Sequence, residues 1–203
     1  MKDELERLTG RHVSLEAIER LIHFVAMIRS ENVRQNLVSR GTLPDIWNRH
    51  ILDSAQLLRF ETSSSASWLD IGAGAGFPGI VLACLTAAPV TLIEPRRLRA
   101  LFLREVIDAL GLHAGVEIEK AERAVGKFGV ISARAVASIS KLLGMSYHLS
   151  TSNTRWVLPK GQSGLQELQE ARKSWHGVFQ LEQSLIDPRS LIVIAQNVRP
   201  RES

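Results

Sequence analysis

The residues best suited to chemistry form a glycine-rich segment, Asp70–Gly79, which reads DIGAGAGFPG. It begins at the end of the first predicted strand, Trp68–Ile71, and precedes a run over 80–86 that is typical of a helix. Glycine lets the backbone turn tightly and lets a ligand lie against the chain. Asp70, at the carboxyl end of the strand, would place an anion in the same crevice. Because three alternating glycines exceed what a tight turn requires, the segment predicts a ligand-binding loop.

Two classes of ligand fit such a loop. Gly74, Gly76 and Gly79 match the G-x-G-x-x-G spacing of a dinucleotide site, although the bare pattern is weak evidence. A pyrophosphate needs free amides at the helix N-terminus, whereas Pro78 removes one donor and Asp70 would repel phosphates. A cationic sulfonium with an amino-acid tail has the opposite preference, because a carboxylate suits its ammonium group. The segment therefore favours a sulfonium ligand of this kind over a dinucleotide.

Acidic residues stand at the end of the second predicted strand and just past the third. Glu94 stands 22 residues after Gly72, where a carboxylate can accept hydrogen bonds from both ribose hydroxyls. The alternative for Glu94 is a surface ion pair with Arg96 or Arg97. Glu122 is expected beside the adenine, and its alternative is a solvated loop acid.

Four further side chains have both a functional and a structural interpretation. Arg134 follows the fourth strand, at the rim of the crevice, or is an ion-pairing arginine. Lys160 lies in a Pro-Lys-Gly turn, where it could contact an RNA phosphate or the target base, or be a solvated turn lysine. His50 is packed or catalytic. Arg49 and Asp53 are four residues apart and could pair along a helix.

The first 60 residues are predicted to be helical. Ser14 can cap a helix with an apolar stripe at spacings of three and four. That stripe consists of Leu15, Ile18, Leu21, Ile22, Val25 and Ile28. Pro44 suits the first turn of another helix. The apolar side of the second helix consists of Trp47, Ile51, Ala55 and Leu58. Residues 61–67, ETSSSAS, read as a linker.

After the linker, short apolar runs alternate with helical patterns, which predicts a parallel sheet with crossover helices. The predicted strands are Trp68–Ile71, Val90–Glu94, Val116–Glu119, Val130–Ser132, Trp156–Leu158, Val178–Leu181 and Leu191–Ala195. The last two are expected to form an antiparallel hairpin with a long loop around Asp187-Pro188. The helix after the second strand should end at Gly111. Its apolar side is predicted to be Leu98, Leu101, Phe102, Ala109 and Leu110.

The predicted architecture is therefore an α/β protein with a doubly wound, Rossmann-like sheet. Residues 1–60 form an N-terminal helical extension, and residues 61–203 form the ligand-binding domain, in one compact unit.

Composition narrows the function classes. The chain has 203 residues, with 25 Lys and Arg against 21 Asp and Glu, and 19 of the cations are Arg. Arginine suits phosphates and guanine edges, so the excess hints at nucleic acid, with solvated faces as the alternative. No apolar run approaches the ~20 residues of a membrane span. The charged start and the single cysteine, Cys84, favour a soluble cytoplasmic protein.

Six segments together carry a resemblance to a known family. They are Asn36-Leu37, Arg49–Ser54 (RHILDS), Gly72–Ile80 (GAGAGFPGI), Phe102–Val106 (FLREV), Ser132–Ala137 (SARAVA) and Pro159–Gly161 (PKG). With them the chain resembles the class I S-adenosylmethionine-dependent methyltransferases, and among these the RsmG (GidB) family of bacterial 16S rRNA guanine-N7 methyltransferases. The glycine loop alone would indicate only a methyltransferase. The resemblance covers nearly the whole chain.

The resemblance implies the cofactor, the substrate and a set of contacts. The cofactor would be S-adenosyl-L-methionine, and the target a guanine in the 530 loop of 16S rRNA, in the small ribosomal subunit or an assembly intermediate. The family's cofactor contacts fall on Gly72, Phe77, Ala121, Glu122 and Arg134, with Glu94 at the strand end. The loop adds Asp70, Gly74 and Gly76 as cofactor-binding candidates.

The expected chemistry needs neither a general base nor a metal. Guanine N7 carries an exposed lone pair and no proton, so the protein must chiefly align N7 with the methyl group, an entropic contribution worth up to ~7–11 kcal/mol. The lone cysteine has no partner at ligand spacing. The RNA-binding candidates are Arg34, Arg40, Arg49, Arg96, Arg97 and Lys160, with His50, Arg99 and Arg104 as possible neighbours on that rim.

Three alternatives stay open at this point. One is a class I methyltransferase that acts on another RNA or on a non-RNA substrate. The second is an NAD-type oxidoreductase, which the Gly74, Gly76 and Gly79 spacing permits. The third is a non-catalytic RNA-binding protein with this fold. We expect a monomer without a membrane partner.

Overall fold

A seven-stranded sheet forms the centre of the computed structural model, which describes residues 1–61, 63 and 66–201. Its strands are β1 (Trp68–Ile71), β2 (Val90–Ile93), β3 (Ala114–Glu117), β4 (Val130–Ala133), β5 (Arg155–Lys160), β6 (Trp175–Gln183) and β7 (Leu191–Pro200). The strand order is β3-β2-β1-β4-β5-β7-β6. The first five strands are parallel, in the doubly wound order, and β7 is antiparallel to both β5 and β6. The predicted fold class and the terminal hairpin are therefore confirmed.

Strand β3 lies two residues earlier than predicted. The prediction was Val116–Glu119, whereas the strand covers Ala114–Glu117 and pairs Ala114 with Val90. The error arises because β3 is the edge strand of the sheet. It pairs with one strand only and its residues are half-exposed, so the apolar pattern does not define where the strand begins and ends.

Seven α-helices accompany the sheet in the described residues. They are α1 (Lys2–Thr9), α2 (Leu15–Gln35), α3 (Asp53–Ala55), α4 (Gly79–Leu85), α5 (Arg97–Leu110), α6 (Ile139–Ser146) and α7 (Gly164–Ser174). Helix α2 begins as predicted, since Ser14 Oγ accepts a hydrogen bond from the Ala17 N–H at 3.1 Å. Its predicted stripe was partly wrong, because Leu15 and Ile22 are exposed and Phe24 is buried instead.

The predicted helix around Pro44 begins later than expected. A π-helix, Trp47–Leu52, runs into α3, and a 3₁₀-helix, Gln56–Phe60, completes the segment. Pro44 precedes all three of these helical segments and lies in none of them. Ile51, Ala55 and Leu58 are buried as predicted.

Helix α5 ends as predicted at Gly111, which adopts a left-handed conformation at φ 57°. Its buried side was predicted incorrectly at Leu98, Leu101 and Ala109, which are exposed. The buried residues are Ala100, Phe102, Leu103, Val106, Ile107 and Leu110.

The core consists of two apolar clusters. The larger joins the N-terminal helices to α4 and α5, with Leu21, Phe24 and Ile28 in the same cluster as Ile80 and Leu103. The smaller contains residues of α6, α7 and the final hairpin. The predicted linker 61–67 lies partly outside the described residues. In the described part of the chain, no helix has both the length and the apolar character needed to cross a membrane.

Candidate active site

The parallel sheet brings the predicted site residues to one edge. Ile71 is in register with Ile93 on one side and with Ala133 on the other. The residues that follow these three, Gly72, Glu94 and Arg134, therefore lie at the carboxyl edge of neighbouring strands. This edge is where open α/β sheets bind ligands.

The glycines of the loop have different surroundings. Gly74 has φ +56°, and a Cβ built there would meet no heavy atom closer than 3.7 Å. Gly76 has φ +98°, and a Cβ there would lie 2.7 Å from the Ile80 side chain and 3.0 Å from Phe24. Gly76 therefore permits close packing of the loop against two helices, whereas Gly74 leaves the outer side of the loop open.

Glu94 is buried, and both of its carboxylate oxygens accept backbone hydrogen bonds, one of them from the glycine loop. Oε2 accepts a hydrogen bond from the Gly74 N–H, and Oε1 accepts one from the Arg96 N–H, both at 2.8 Å. Only 3% of the residue is exposed, so it is not the surface ion pair that was the alternative. Each carboxylate oxygen can accept more than one hydrogen bond. The arrangement fits a ribose diol, and with the open face at Gly74 it fits the adenosine part of S-adenosylmethionine.

Asp70 lies beneath the loop. Its Oδ2 accepts the Gly79 N–H at 2.8 Å, and Ser132 Oγ donates to Oδ1 at 3.3 Å. Only 1% of the residue is exposed, and burial raises the pKa of this carboxyl to about 7. The sequence predicts Asp70 as an anion in an open crevice. This prediction is corrected, because the carboxyl group is buried and its hydrogen bond with Gly79 stabilises the loop at the first turn of α4. A contact with a cofactor ammonium stays a prediction.

The same hydrogen bond weakens the dinucleotide alternative. The Gly79 amide at the start of α4 already donates to a carboxylate. A pyrophosphate would need such amides and would meet this carboxylate instead.

Arg134 is the centre of a cluster that joins three parts of the chain. Its Nη2 donates to His50 Nδ1 at 2.8 Å, and its Nη1 lies 3.3 Å from Asp53 Oδ2. The guanidinium lies 5.3 Å from the ring centroid of Phe77, on which the His50 ring also stacks at 4.8 Å. Phe77 is buried between His50 and Phe24.

The predicted pairing of Arg49 with Asp53 is wrong, because Asp53 pairs with Arg134. The π-helix provides the reason. Its hydrogen bonds join residues five apart, so residues four apart no longer lie above one another as they do in an α-helix.

Lys160 is not a solvated turn lysine. Its side chain is 9% exposed, pairs with Glu167 at 2.9 Å and donates to the Ala137 carbonyl at 2.7 Å. Ala121 is buried in the loop after β3, and its neighbour Glu122 is exposed.

A cavity of about 430 Å³ opens beside Arg134, over the ends of β4, β5 and β7. This volume lies in the ~300–1,000 Å³ range of small-molecule sites. Asp53, Arg134, Lys160, Glu167, Ser184 and Ser190 supply its polar side chains. The sequence did not indicate Glu167 or the two serines, because nothing in their local pattern shows that a helix and a distant hairpin meet at this edge.

The arginines predicted to meet RNA have exposed side chains. These are Arg34, Arg40, Arg49, Arg96 and Arg97. Gln35 Nε2 donates to the Leu98 carbonyl at 3.1 Å, which joins the end of α2 to the start of α5. Arg34 and Arg97 flank these two residues in the sequence, so these two arginines lie near this junction. In the described residues, no cluster of three or more His, Cys, Asp or Glu could hold a metal ion.

Solved structures define the class of fold. Ribosomal protein L11 methylase from Lactobacillus delbrueckii matches with a TM-score of 0.58 at 12% identity, over 76% of this chain and 80% of that one. M. jannaschii TYW2, solved in complex with AdoMet, matches with a TM-score of 0.56 at 15% identity, over 81% and 78%. The fold is that of the class I methyltransferases.

Sequence comparison defines the family. The model of the GidB family, described as rRNA small subunit methyltransferase G, matches residues 17–187. The enzyme named ribosomal RNA small subunit methyltransferase G from Novosphingobium aromaticivorans is 48% identical, over 91% of this chain and 83% of its own. That from Erythrobacter litoralis is 46% identical over 96% of both. The chain belongs to the GidB family.

Proposed function

We propose that this protein transfers a methyl group from S-adenosyl-L-methionine to N7 of a guanine in the 530 loop of 16S rRNA. As a GidB family member it is a methyltransferase of small-subunit rRNA that uses this cofactor. The observation that carries the site assignment is the buried Glu94 carboxylate, which joins the glycine loop to the end of β2. A ribose diol is the ligand group that this arrangement suits.

Each group at the carboxyl edge of the sheet then has a proposed role in cofactor binding or methyl transfer. S-adenosyl-L-methionine supplies a methyl group on a sulfonium, which the lone pair of N7 can attack without losing a proton. Glu94 accepts hydrogen bonds from the ribose hydroxyls, and Arg134 offers a cation at the end of β4. Gly72, Phe77, Ala121 and Glu122 complete the proposed cofactor contacts. The protein contributes alignment, so none of these side chains acts as a general base.

The cavity beside Arg134 is the proposed position of the target guanine. It lies over β4, β5 and β7, whereas Glu94 lies on the other side of β1. Lys160 has three N–H donors and uses two of them on Ala137 and Glu167. The third can donate to guanine O6, which lies beside N7 on the same base edge. A base bound in this way has left the stack, as recognition of a loop base in RNA requires.

The exposed arginines Arg34, Arg40, Arg49, Arg96 and Arg97 are the proposed phosphate contacts. The substrate would be the small ribosomal subunit or an assembly intermediate, and the protein would act as a cytoplasmic monomer. Light scattering of the purified protein tests the monomer directly.

The function is tested by transfer of a labelled methyl group in vitro. Naked 16S rRNA, precursor particles and mature small subunits would be prepared from cells that lack the enzyme. We expect one N7-methylguanine in the 530 loop of at least one of these substrates. Label at another position, or on a protein, would contradict the proposed substrate.

A variant at Lys160 tests the position of the guanine. K160M should reduce methyl transfer at least tenfold, while its affinity for S-adenosylhomocysteine stays within twofold of wild type. The double variant K160M/E167Q removes the unpaired carboxylate and thereby controls for destabilisation. Unchanged transfer by the double variant would exclude Lys160 from the base-binding site.

A further inference from the structure

The π-helix Trp47–Leu52 directs several acceptors towards one guanidinium. Arg134 Nη2 donates to His50 Nδ1 at 2.8 Å, while its Nη1 donates to the Arg49 carbonyl at 3.4 Å and to Asp53 at 3.3 Å. His50, Arg49 and Asp53 lie 81 to 85 residues before Arg134 in the chain. π-turns occur mostly as short insertions, frequently at functional sites.

These contacts fix the state of the His50 ring. A guanidinium can only donate, so Nδ1 must accept and Nε2 must carry the proton. The Nε2 atom is buried, and no hydrogen-bond partner for it is found in the described part of the chain. Burial and the charges of Arg134 and Arg49 lower the pKa of His50 to about 4. The ring is therefore neutral, with Nδ1 as the acceptor for Arg134 and Phe77 as its support.

The cluster leaves part of the guanidinium available. Of its five N–H donors, three are used by His50, Arg49 and Asp53. Within the described residues, the Nε–H and one Nη2–H of Arg134 donate to no acceptor. A planar pair of such donors matches a carboxylate.

The sheet order indicates which end of the cofactor meets Arg134. Glu94 follows β2 and Arg134 follows β4, with β1 between them. If Glu94 holds the ribose, the amino-acid end of the cofactor extends across β1 towards β4. An arginine already held in place loses little of the side-chain entropy that a mobile arginine would lose on binding.

We propose that His50 is a positioning residue for cofactor recognition: with Phe77 it holds Arg134 so that the free N–H groups of the guanidinium bind the carboxylate of the cofactor's amino-acid end. This inference rests on the proposed cofactor site. It makes the N-terminal helical region part of that site, although none of its residues need touch the cofactor.

The test compares two ligands that share the nucleoside. S-adenosylhomocysteine has the amino-acid tail, and 5′-deoxy-5′-methylthioadenosine lacks it. H50F keeps a ring against Phe77 but removes the acceptor, whereas H50N retains an acceptor close to the position of Nδ1. N48A, at an exposed residue of the same turn, is the matched control.

Calorimetric titration should show that H50F weakens S-adenosylhomocysteine binding about tenfold and methylthioadenosine binding less than twofold. H50N should recover most of the affinity, and N48A should bind like wild type. Equal weakening of both ligands, or no weakening, would overturn the role of His50. If H50F does not fold, H50N is compared with H50Q, whose side chain places no acceptor at the position of Nδ1. The role of His50 would be overturned if H50N bound S-adenosylhomocysteine no better than H50Q. Wild-type protein that bound neither ligand would instead contradict the proposed function itself.

Discussion

Glu94 stabilises the loop and is the proposed ribose ligand, so the two roles must be separated by measurement. E94Q replaces one accepting oxygen with a donor that would face a backbone N–H. Because a hydrogen bond to a charged group contributes ~1.5–3 kcal/mol, we expect S-adenosylhomocysteine affinity to fall about 10- to 100-fold. Isothermal titration measures this, with E105Q on the exposed side of α5 as the control. Wild-type affinity in E94Q would remove this carboxylate from the cofactor site.

Asp70 gives a prediction about pH. The pKa of its carboxyl is about 7 in the folded protein and 3.8 as an ordinary value, so between these values the folded state keeps a proton that the unfolded state has lost. Its contribution to the free energy of unfolding is therefore full below pH 4 and decreases as pH rises to about 7. D70N does not titrate at this position.

Urea unfolding at several pH values from 5 to 8 tests this linkage. The free energy of unfolding of wild type, relative to D70N, should decrease with rising pH and level off above pH 7. Taking the difference between the two proteins cancels the opposite contribution of His50, whose pKa is lowered. A pH-independent difference would mean that Asp70 is already ionised in the folded protein.

The loop between β1 and α4 gives a prediction at the scale of an element. Alanine at Gly74 would make only ordinary van der Waals contacts, with Arg99 Nη1 and the Gly72 carbonyl at 3.7 Å, so at positive φ it should cost about 1 kcal/mol of stability. Alanine at Gly76 also meets Ile80 and Phe24, and this overpacking should add ~1–3 kcal/mol. G74A should lose S-adenosylhomocysteine affinity although it remains well folded.

Thermal unfolding and ligand titration of both variants distinguish the two glycines. Equal stability of G74A and G76A would show that Gly76 does not depend on its close packing. Unchanged ligand affinity in G74A would place the cofactor away from the open side of the loop.

The strands and the glycine loop could be predicted from the sequence because each depends on local pattern. β1 was predicted with its observed limits, since Trp68, Leu69 and Ile71 form a short, mostly apolar segment directly before a glycine turn. The π-helix could not be predicted, because residues Trp47–Leu52 have an ordinary helical pattern and the extra residue per turn depends on tertiary packing.

The same reasoning applies to the site. Glu94 and Arg134 were identified by their places after strands, which local pattern can show. Their partners were not identified: His50 meets Arg134 across 84 residues, and Lys160 meets Glu167 through the packing of α7 on the sheet. Such contacts depend on the assembled fold rather than on the residues nearby in sequence.

At the scale of the whole molecule, the N-terminal helices share one core with α4 and α5. The extension therefore completes the core, and it also carries Arg34, Arg40 and Arg49, which are proposed to meet RNA. The net charge of +4 is small, so RNA binding should depend on where the arginines lie rather than on the total charge.

Removing two of these arginines tests the surface. Since each lost phosphate contact reduces the slope of log affinity against log salt by roughly 0.7–0.9, R34A/R40A should reduce it by about 1.4–1.8. K141A/K173A removes two exposed cations on α6 and α7, and should leave the slope unchanged. Filter binding to 16S rRNA measures both. Equal slopes for wild type and R34A/R40A would place the RNA on another face.

The most direct test of the account is the methylation state of 16S rRNA in cells. Mass spectrometry of nuclease fragments would compare a strain without the gene, the same strain with wild type restored, and the strain with E94Q at matched protein level. The account predicts that N7-methylguanine in the 530-loop fragment is lost on deletion, returns with wild type and stays low with E94Q. Full methylation in the deletion strain, or full recovery with E94Q, would contradict it.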